Sequence, residues 1–292
     1  MGIAVIAYHR PPTIDSACAL ARAYGSEGAF LAGGTELIPD YQRGRESARH
    51  LIALDGVAEL HGIRREGPLL RIGALATIAQ VERSADVRGF SVALVEAASA
   101  IGSPTIRSRA TLGGNFCRAV PCADTPAAAI AAGARVRLAG PDGEREMPAE
   151  EFFVGARRTA LRLGEMLVAV ILPAQPTHAA SSYERFSRRR GSSVAVASVA
   201  VRLQVTSGSI TDVRAVYGAV AATPILSTRL TSLLVGQVPS GELFARVAAA
   251  SVDEAMADAT TRRSDSLRRD VLPTLTRRAL VRAAERAIGR TT

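Results

Sequence analysis

The stretch SPTIRSRATLGGNFCRAVPCADTP, residues 103–126, places a Gly-Gly-Asn sequence between a Thr and a segment with two cysteines and an Asp. Because glycine lacks a Cβ, backbone N–H groups beside it can approach an anion closely, and a neighbouring hydroxyl adds a donor. A second stretch, AFLAGGTELIPDYQRG at residues 29–44, carries a similar pair, Gly33 and Gly34, beside Thr35. Two such loops facing each other could hold a diphosphate, whereas glycine pairs by themselves are equally compatible with ordinary tight turns.

The familiar nucleotide-binding signatures are missing from this chain. No G-x-G-x-x-G sequence follows a strand, and a Walker A loop requires a Lys, a residue type that the chain does not contain. The sequence therefore excludes a Rossmann dehydrogenase and a P-loop NTPase.

Length and cysteine content limit the remaining classes. The chain has 292 residues, 48% of them hydrophobic, which suffices for about two domains. Pro11 and Pro12 interrupt the N-terminal segment before it could form a signal peptide or a membrane span, so we expect a cytoplasmic protein. Cys18, Cys117 and Cys122 are one thiolate short of an all-cysteine iron–sulfur cluster. We expect no metal site on this chain.

The net charge of +9 comes entirely from arginine, and two segments are especially rich in it, Arg185–Arg190 and Arg262–Arg269. Neither segment has interleaved aromatic residues on which bases could stack, and aromatics make up only 4% of the chain. We therefore interpret these segments as solvated or partner-docking faces and expect no nucleic acid as a partner.

The hydrophobic pattern predicts three blocks. The first, ending near residue 55, has a strand at Ala29–Ala32, a Gly-Gly turn and a helix from Leu37. The second has strands and helices, with Thr77 as a helix N-cap, the second glycine pair in a turn-rich loop, and a last strand ending at Pro173. After a Pro/Ser-rich joint, AQPTHAASS at residues 174–182, two alternating strands are followed by helices from Leu226 to the end.

Two motifs together carry a resemblance to a known family. FLAGGTELIP at 30–39 and IGSPTIRSRATLGGNFCRAVPCADTPAA at 101–128 resemble the FAD-binding medium subunit of molybdenum hydroxylases, the xanthine and carbon monoxide dehydrogenase family. The resemblance continues through RIGALATIAQVE, EMLVAVILP, YERFSRRRGSSVAVASVAVRL and SDSLRRDVLPTLTRRALVRA, and so covers nearly the whole chain.

The resemblance implies an α+β fold in two domains. Residues 1–175 would form an FAD-binding domain of the PCMH type, which is vanillyl-alcohol-oxidase-like and consists of two α/β subdomains, about 1–55 and 56–175. Residues 176–292 would form a C-terminal domain of the carbon monoxide dehydrogenase flavoprotein type, an α+β domain with a small antiparallel sheet and helices.

The same resemblance implies the cofactor site. The two glycine loops would bind the diphosphate and ribityl chain of FAD, Asp124 would be an acidic contact or a helix N-cap or both, and Ile101 and Leu167 would flank the cofactor. Many relatives have Lys near the position of Arg185, and Arg keeps the charge there but changes the geometry. The implied cofactor-binding set is Phe30, Leu31, Ala32, Gly33, Gly34, Thr35, Glu36, Leu37, Ile101, Thr111, Gly113, Gly114, Asn115, Asp124, Leu167 and Arg185.

The implied function is electron relay within a heteromeric complex. A molybdopterin-containing large subunit would oxidise the substrate, a small subunit with 2Fe–2S clusters would carry the electrons, and FAD on this chain would pass them to NAD, oxygen, a quinone or a carrier protein. The resemblance assigns no catalytic residue to this chain. The alternative is a self-contained flavin-dependent oxidase or reductase of the same fold, which would need a catalytic base of its own near the flavin ring.

Overall fold

The computed structural model describes residues 7–189, 191, 193–257 and 265–289. The N-terminal block is a parallel sheet in the strand order β1-β3-β2. Thr13 starts the first helix, because its side chain accepts a hydrogen bond from the Ser16 backbone and the Ser16 side chain accepts one in return. The elements are β1 (Ala7–His9), α1 (Ile14–Tyr24), β2 (Gly28–Leu31), α2 (Leu37–Gln42) and β3 (His50–Ala53).

The second block has a five-stranded antiparallel sheet in the order β4-β5-β10-β6-β7, together with a small hairpin, β8-β9. Its strands are β4 (Ile63–Glu66), β5 (Leu69–Gly73), β6 (Arg135–Gly140), β7 (Gly143–Pro148), β8 (Phe153–Gly155), β9 (Arg158–Thr159) and β10 (Met166–Pro173). Its helices are α3 (Ile78–Arg83), α4 (Ala85–Phe90), α5 (Val92–Ser99), α6 (Pro104–Arg107), α7 (Leu112–Arg118), α8 (Asp124–Ala131) and α9 (Ala149–Phe152).

Strand β10 is the middle strand of this sheet and is buried on both faces. Its register shifts between Leu167 and Ala169, which is the signature of a β-bulge. Leu167 and Val170 pack with the helices α5, α7 and α8, whereas Val168 packs with α1 on the other side. The central strand thus joins the parallel block to the helical layer that carries the second glycine pair.

The third block is an antiparallel sheet in the order β11-β12-β13-β14, with helix α13 packed on β11 and β12. Helices α5 and α8 of the second block pack against the same sheet. The elements are β11 (Ala179–Ser187), β12 (Ala195–Thr206), β13 (Ser209–Gly218), β14 (Ile225–Leu226), α10 (Thr228–Leu234), α11 (Gly241–Ala250), α12 (Val252–Met256) and α13 (Asp265–Gly289).

Charged groups fasten the third block to the second. Glu96 on α5 accepts hydrogen bonds from the Tyr183 backbone at 2.8 Å and from Arg282 and Arg286 at 2.6 Å each. Arg214 on β13 reaches the carbonyl of Ile130 at the end of α8, at 3.1 Å. Because these charge pairs are partly buried and form a network, they stabilise the contact between the second and third blocks more than isolated surface pairs would.

Most of the local expectations are confirmed. The strand at Ala29–Ala32 is β2, the helix from Leu37 is α2, and Thr77 caps α3 in a capping box with Gln80. The last strand of the second block ends at Pro173 as expected. Within the residues that the structure describes, no helix is both long and apolar enough to cross a membrane.

Three local expectations are wrong in detail. The second glycine pair does not lie in a loop but inside helix α7, because Thr111 caps that helix and Leu112 begins it. The joint ends at His178, since the serines that follow it are part of β11, a strand that the sequence pattern missed. Among the arginines interpreted as solvated or docking residues, Arg185 and Arg268 are turned inward, and Arg190, Arg262 and Arg263 lie outside the described residues.

Candidate functional site

The first glycine pair lies in the connection between β2 and α2. A Cβ on Gly33 would collide with the carbonyl oxygen of Arg109, so the chain at this point rests directly on the backbone that precedes α7. Gly34 has a φ of +71°, a conformation that side-chain-bearing residues rarely adopt. Phe30 and Leu31 end the strand, Ala32 to Glu36 form the connection, and Leu37 opens the helix.

The second glycine pair lies in the first turn of α7. The Thr111 hydroxyl accepts a hydrogen bond from the Gly114 backbone at 3.1 Å, as an N-cap side chain does. The N–H groups of Leu112 and Gly113 donate to the carbonyls of Ala76 at 2.9 Å and Ala74 at 2.8 Å. These bonds fix the start of the helix on the end of strand β5.

The two members of this pair have different surroundings. A Cβ on Gly113 would lie 2.7 Å from both the Cβ and the carbonyl oxygen of Ala74, so the packing of the chain requires glycine there. A Cβ on Gly114 would meet only the Thr111 hydroxyl, at 2.9 Å, within 4 Å. Gly114 itself is half-buried, and beyond its own helix no other part of the described chain closes off the position of its missing Cβ.

Arg118, at the end of α7, ties the two glycine-containing segments together. Its guanidinium donates to Glu36 at 3.0 Å, in the first segment, and also to the buried carboxylate of Asp40 on α2. Behind this contact, Thr77 and Thr111 form an isolated antiparallel bridge. The first and second segments are thus neighbours in space.

Asn115 and Asp124 are held by separate partners. The Asn115 side-chain oxygen accepts a hydrogen bond from Thr125 on α8 at 2.5 Å. The amide nitrogen of Asn115 then remains as a donor for another partner. Asp124 is the first residue of α8, with Ala123 and not Asp124 at the N-cap position. Its two oxygens accept hydrogen bonds from Tyr183 at 2.5 Å and from Arg185 at 3.0 Å.

The electrostatics of Asp124 reflect this burial. Burial raises the pKa of the Asp124 carboxyl above its ordinary value, while the charge of Arg185 and the hydrogen bond from Tyr183 act in the opposite direction. Arg185 also donates to the carbonyl of Ala100 at 2.7 Å, directly beside Ile101, and to the carbonyl of Ser193. The Tyr183 hydroxyl itself has a pKa raised well above its ordinary value, first by burial and then by the nearby Asp124 charge.

The structure brings the expected residues into two connected groups. One group consists of both glycine segments, joined by Arg118 and by the contact of Gly33 with the backbone of Arg109. The other consists of Asp124, Arg185 and the turn at Ile101, and the bond between Asn115 and Thr125 connects the two groups. Leu167 is buried in β10 and belongs to the same apolar cluster as Leu112 and Phe116 of α7.

These residues suit an FAD molecule in their donor chemistry. The hydroxyls of Thr35 and Thr111 and the Asn115 amide are neutral groups of the kind that bind a diphosphate and a polyol chain, and Gly114, next to Asn115, is only half-buried. A Cβ at Gly114 would project beside the Thr111 hydroxyl. Its absence allows a ligand to approach the backbone closely at this point. The site therefore fits the cofactor that the sequence predicts.

Sequence reasoning missed three residues of this arrangement: Arg118, Thr125 and Tyr183. Tyr183 was overlooked because the first four residues of its strand were interpreted as the end of a joint and the rest of the strand was given no secondary structure. In β11, Tyr183 and Arg185 are two residues apart and so share one face of the strand. The alternation of the strand was the signal that could have paired them.

Comparison with known proteins places the chain in a family. Residues 4–175 match the family model described as FAD binding domain in molybdopterin dehydrogenase, and residues 181–283 match the CO dehydrogenase flavoprotein C-terminal domain. The chain is 33% identical over 245 residues to the carbon monoxide dehydrogenase medium chain of Hydrogenophaga pseudoflava, covering 84% of this chain and 85% of that protein. It is 27% identical to the xanthine dehydrogenase FAD-binding subunit of Escherichia coli O157:H7, covering 97% of each chain.

Solved structures agree with the sequence comparison. The chain superposes with a TM-score of 0.91 and 30% identity on a chain of carbon monoxide dehydrogenase from Hydrogenophaga pseudoflava that lacks the Mo-pyranopterin moiety of its cofactor, covering 98% of this chain and 99% of that one. The match extends across all three sheets, so the resemblance is not confined to the glycine motifs. On this evidence the chain belongs to the family of FAD-binding domains in molybdopterin dehydrogenases, followed by a C-terminal domain of the CO dehydrogenase flavoprotein type.

Proposed function

We propose that this chain is the FAD-binding subunit of a molybdenum hydroxylase complex and passes electrons from iron–sulfur clusters of a partner subunit to an external acceptor. The observation that carries the proposal is the half-buried Gly114, where beyond its own helix only the Thr111 hydroxyl lies within 4 Å of an added Cβ, in a chain whose family is defined by FAD binding. When bound, FAD would supply the redox chemistry as a two-electron carrier.

The binding role is assigned to the chain's own residues. The diphosphate and ribityl chain would be bound by the segment from Phe30 to Leu37 and by Thr111, Gly113, Gly114 and Asn115. Asp124 and Arg185 would anchor the cofactor from the side of the third sheet, and Ile101 and Leu167 would supply apolar contacts. The bonds that hold Asn115 and Asp124 in place without a ligand support a preformed site, which lowers the entropic cost of binding.

We further propose a domain boundary between residues 175 and 176. The limits of the two family matches, 4–175 and 181–283, support this division, as does the start of β11 at Ala179. The first and second sheets would belong to the FAD-binding domain of residues 1–175, and the third sheet would belong to the C-terminal domain of residues 176–292.

The metal centres of the reaction are assigned to partner subunits, a molybdopterin-containing large one and a small one with 2Fe–2S clusters. In the portion of the chain that the structure describes, His, Cys, Asp and Glu side chains nowhere gather in groups of three or more that could hold a metal ion. Relatives are described as a medium chain of carbon monoxide dehydrogenase and an FAD-binding subunit of xanthine dehydrogenase. The acceptor would be NAD, oxygen, a quinone or a carrier protein.

The first test identifies the flavin. Acid precipitation of the purified chain should release one FAD per chain into the supernatant, because none of its four histidines lies in a flavin motif that could form a covalent bond. Recovery of FMN or of a peptide-linked flavin would contradict the proposal.

The second test separates a relay subunit from a self-contained flavoenzyme. Reduction of the bound flavin by the organic substrate should require the assembled complex, since the electrons must arrive from clusters on another chain. The isolated chain, followed at the flavin absorbance band in a stopped-flow instrument, is the matched control. Rapid reduction of the isolated chain by the substrate would replace this proposal with a self-contained oxidase or reductase.

A further inference from the structure

Strand β11 reaches from the third sheet into the candidate flavin site. Tyr183 and Arg185 lie on the same face of this strand, and both donate hydrogen bonds to the Asp124 carboxylate. The Tyr183 side chain is buried and its backbone N–H is bound by Glu96, so the ring has a fixed position. The Tyr183 hydroxyl therefore donates to Asp124 from a side chain whose position is fixed by the surrounding packing.

Asp124 depends on these two partners. The carboxylate side chain is 7% exposed, so water can replace neither hydrogen bond if one is lost. A buried carboxylate with an unsatisfied oxygen is costly, and it responds by taking up a proton or by moving. Loss of the Tyr183 hydroxyl would leave Arg185 as the single side chain that holds Asp124.

Arg185 carries the effect onward to the predicted cofactor contacts. The same guanidinium nitrogen that meets Asp124 also donates to the carbonyl of Ala100, next to Ile101. Asp124 and the Ser193 carbonyl together orient the planar guanidinium, so a shift of Asp124 moves the nitrogen that donates to Ala100. The contacts thus form a chain from Tyr183 through Asp124 and Arg185 to the turn at Ile101.

We propose that Tyr183 is a positioning residue of the flavin site, which fixes Asp124 and through it Arg185, so that the third sheet contributes directly to FAD binding. The inference rests on the proposed function, since it assumes that this chain binds FAD. It assigns a role to a side chain that lies outside both glycine motifs and outside the set implied by the family resemblance.

The test uses Tyr183→Phe, which removes the hydroxyl and keeps the ring. Flavin-free full-length chain would be titrated with FAD and the dissociation constant measured from flavin fluorescence. We expect binding to weaken about tenfold, the effect of losing one hydrogen bond to a charged group. We also expect a changed visible circular dichroism spectrum of the bound flavin, because the turn at Ile101 is no longer fixed.

Tyr217→Phe is the matched control. Tyr217 is as buried as Tyr183, lies in the same sheet, and pairs its hydroxyl with Ser251 at 2.7 Å rather than with a candidate flavin residue. This variant should lower the melting temperature but leave the FAD dissociation constant and the flavin spectrum unchanged. Equal weakening of FAD binding in both variants would reduce the role of Tyr183 to general stability and overturn the inference.

The double variant tests the route through Asp124. Asp124→Asn should also weaken binding, and adding Tyr183→Phe should weaken it little further, because both changes break the same contact. A full further tenfold loss in the double variant would overturn the route through Asp124. If Tyr183→Phe does not fold, Arg185→Met tests the next contact, since it keeps a long side chain but removes the donors to Asp124 and to the Ala100 carbonyl, and unchanged FAD affinity would overturn the inference.

The outcomes distinguish the two proposals. If the wild-type chain itself binds no FAD, the proposed function fails. If the wild type binds FAD and Tyr183→Phe binds it equally well with an unchanged flavin spectrum, the proposed function stands and the positioning role of Tyr183 is wrong.

Discussion

The two Gly-Gly pairs look alike in the sequence but have different structural roles in the fold. The first lies in a strand-to-helix connection, where Gly33 rests on the backbone of Arg109 and Gly34 adopts a positive φ. The second lies in a helix, where Gly113 packs against Ala74 and Gly114 has only its own cap hydroxyl nearby. Three of these four glycines are therefore explained by the protein's own packing and backbone conformation.

The comparison shows how a ligand-facing glycine can be distinguished from a structural one. A glycine whose missing Cβ would strike other parts of the chain is required whether or not a ligand binds. Gly114 is an intermediate case, because an added Cβ would lie 2.9 Å from the Thr111 hydroxyl and, beyond its own helix, within 4 Å of no other part of the described chain. Of this pair we propose Gly114 as the cofactor contact, since only a side-chain hydroxyl stands in the way there, whereas packing against Ala74 requires glycine at position 113.

The largest expected effect is on the structural glycines. Gly33→Ala and Gly113→Ala would each force backbone to move, since the new methyl group meets the Arg109 carbonyl or the Ala74 backbone. We expect each to lower the free energy of unfolding by about 3 kcal/mol or more, measured by urea denaturation in the absence of FAD. The matched control is Gly89→Ala, where no atom lies within 4 Å of the added Cβ. Wild-type stability in either variant would show that the close contacts relax without cost.

The next effect separates folding from binding. Gly114→Val should weaken FAD binding about a hundredfold, equivalent to about 3 kcal/mol, because the side chain projects into the space beside the cap hydroxyl. The fold should persist, with about 1 kcal/mol of stability lost through displacement of the Thr111 cap. Flavin content after gel filtration and the far-ultraviolet circular dichroism spectrum measure the two effects. Full flavin content in a folded Gly114→Val variant would mean that the diphosphate lies elsewhere.

The smallest effect concerns Gly34. Its φ of +71° costs a side-chain-bearing residue about 1 kcal/mol, and an added Cβ would lie 3.3 Å from Ile38 and Leu31. Gly34→Ala should therefore lower the free energy of unfolding by about 1 kcal/mol, while Gly34→Asn should lower it less, because Asn tolerates this conformation better. Thermal melts of the two variants side by side test the ranking, and equal losses would assign the cost to crowding rather than to backbone strain.

Sequence reasoning was accurate where the signal is local. The strands β2 and β10 follow from short apolar runs, and the start of α3 follows from Thr77, since a capping hydroxyl and the helix it starts are only a few residues apart. It failed at β11, where a Pro/Ser-rich composition indicated a joint up to residue 182, although a paired strand begins at Ala179 and continues through Tyr183 and Arg185. Composition describes a segment in isolation, whereas a strand exists because a partner strand pairs with it.

The sequence by itself determined the apolar periods, the helix caps, the two glycine motifs and the family to which they belong. Only the tertiary structure decided which glycine faces the open site, because that depends on what the distant Arg109 and Ala74 place opposite each Cβ. It also decided that Asp124 meets Tyr183 and Arg185, which are 59 and 61 residues away along the chain. Periods and caps depend on neighbours along the chain, whereas a close approach or a buried charge pair depends on how the sheets pack, and no local pattern encodes that.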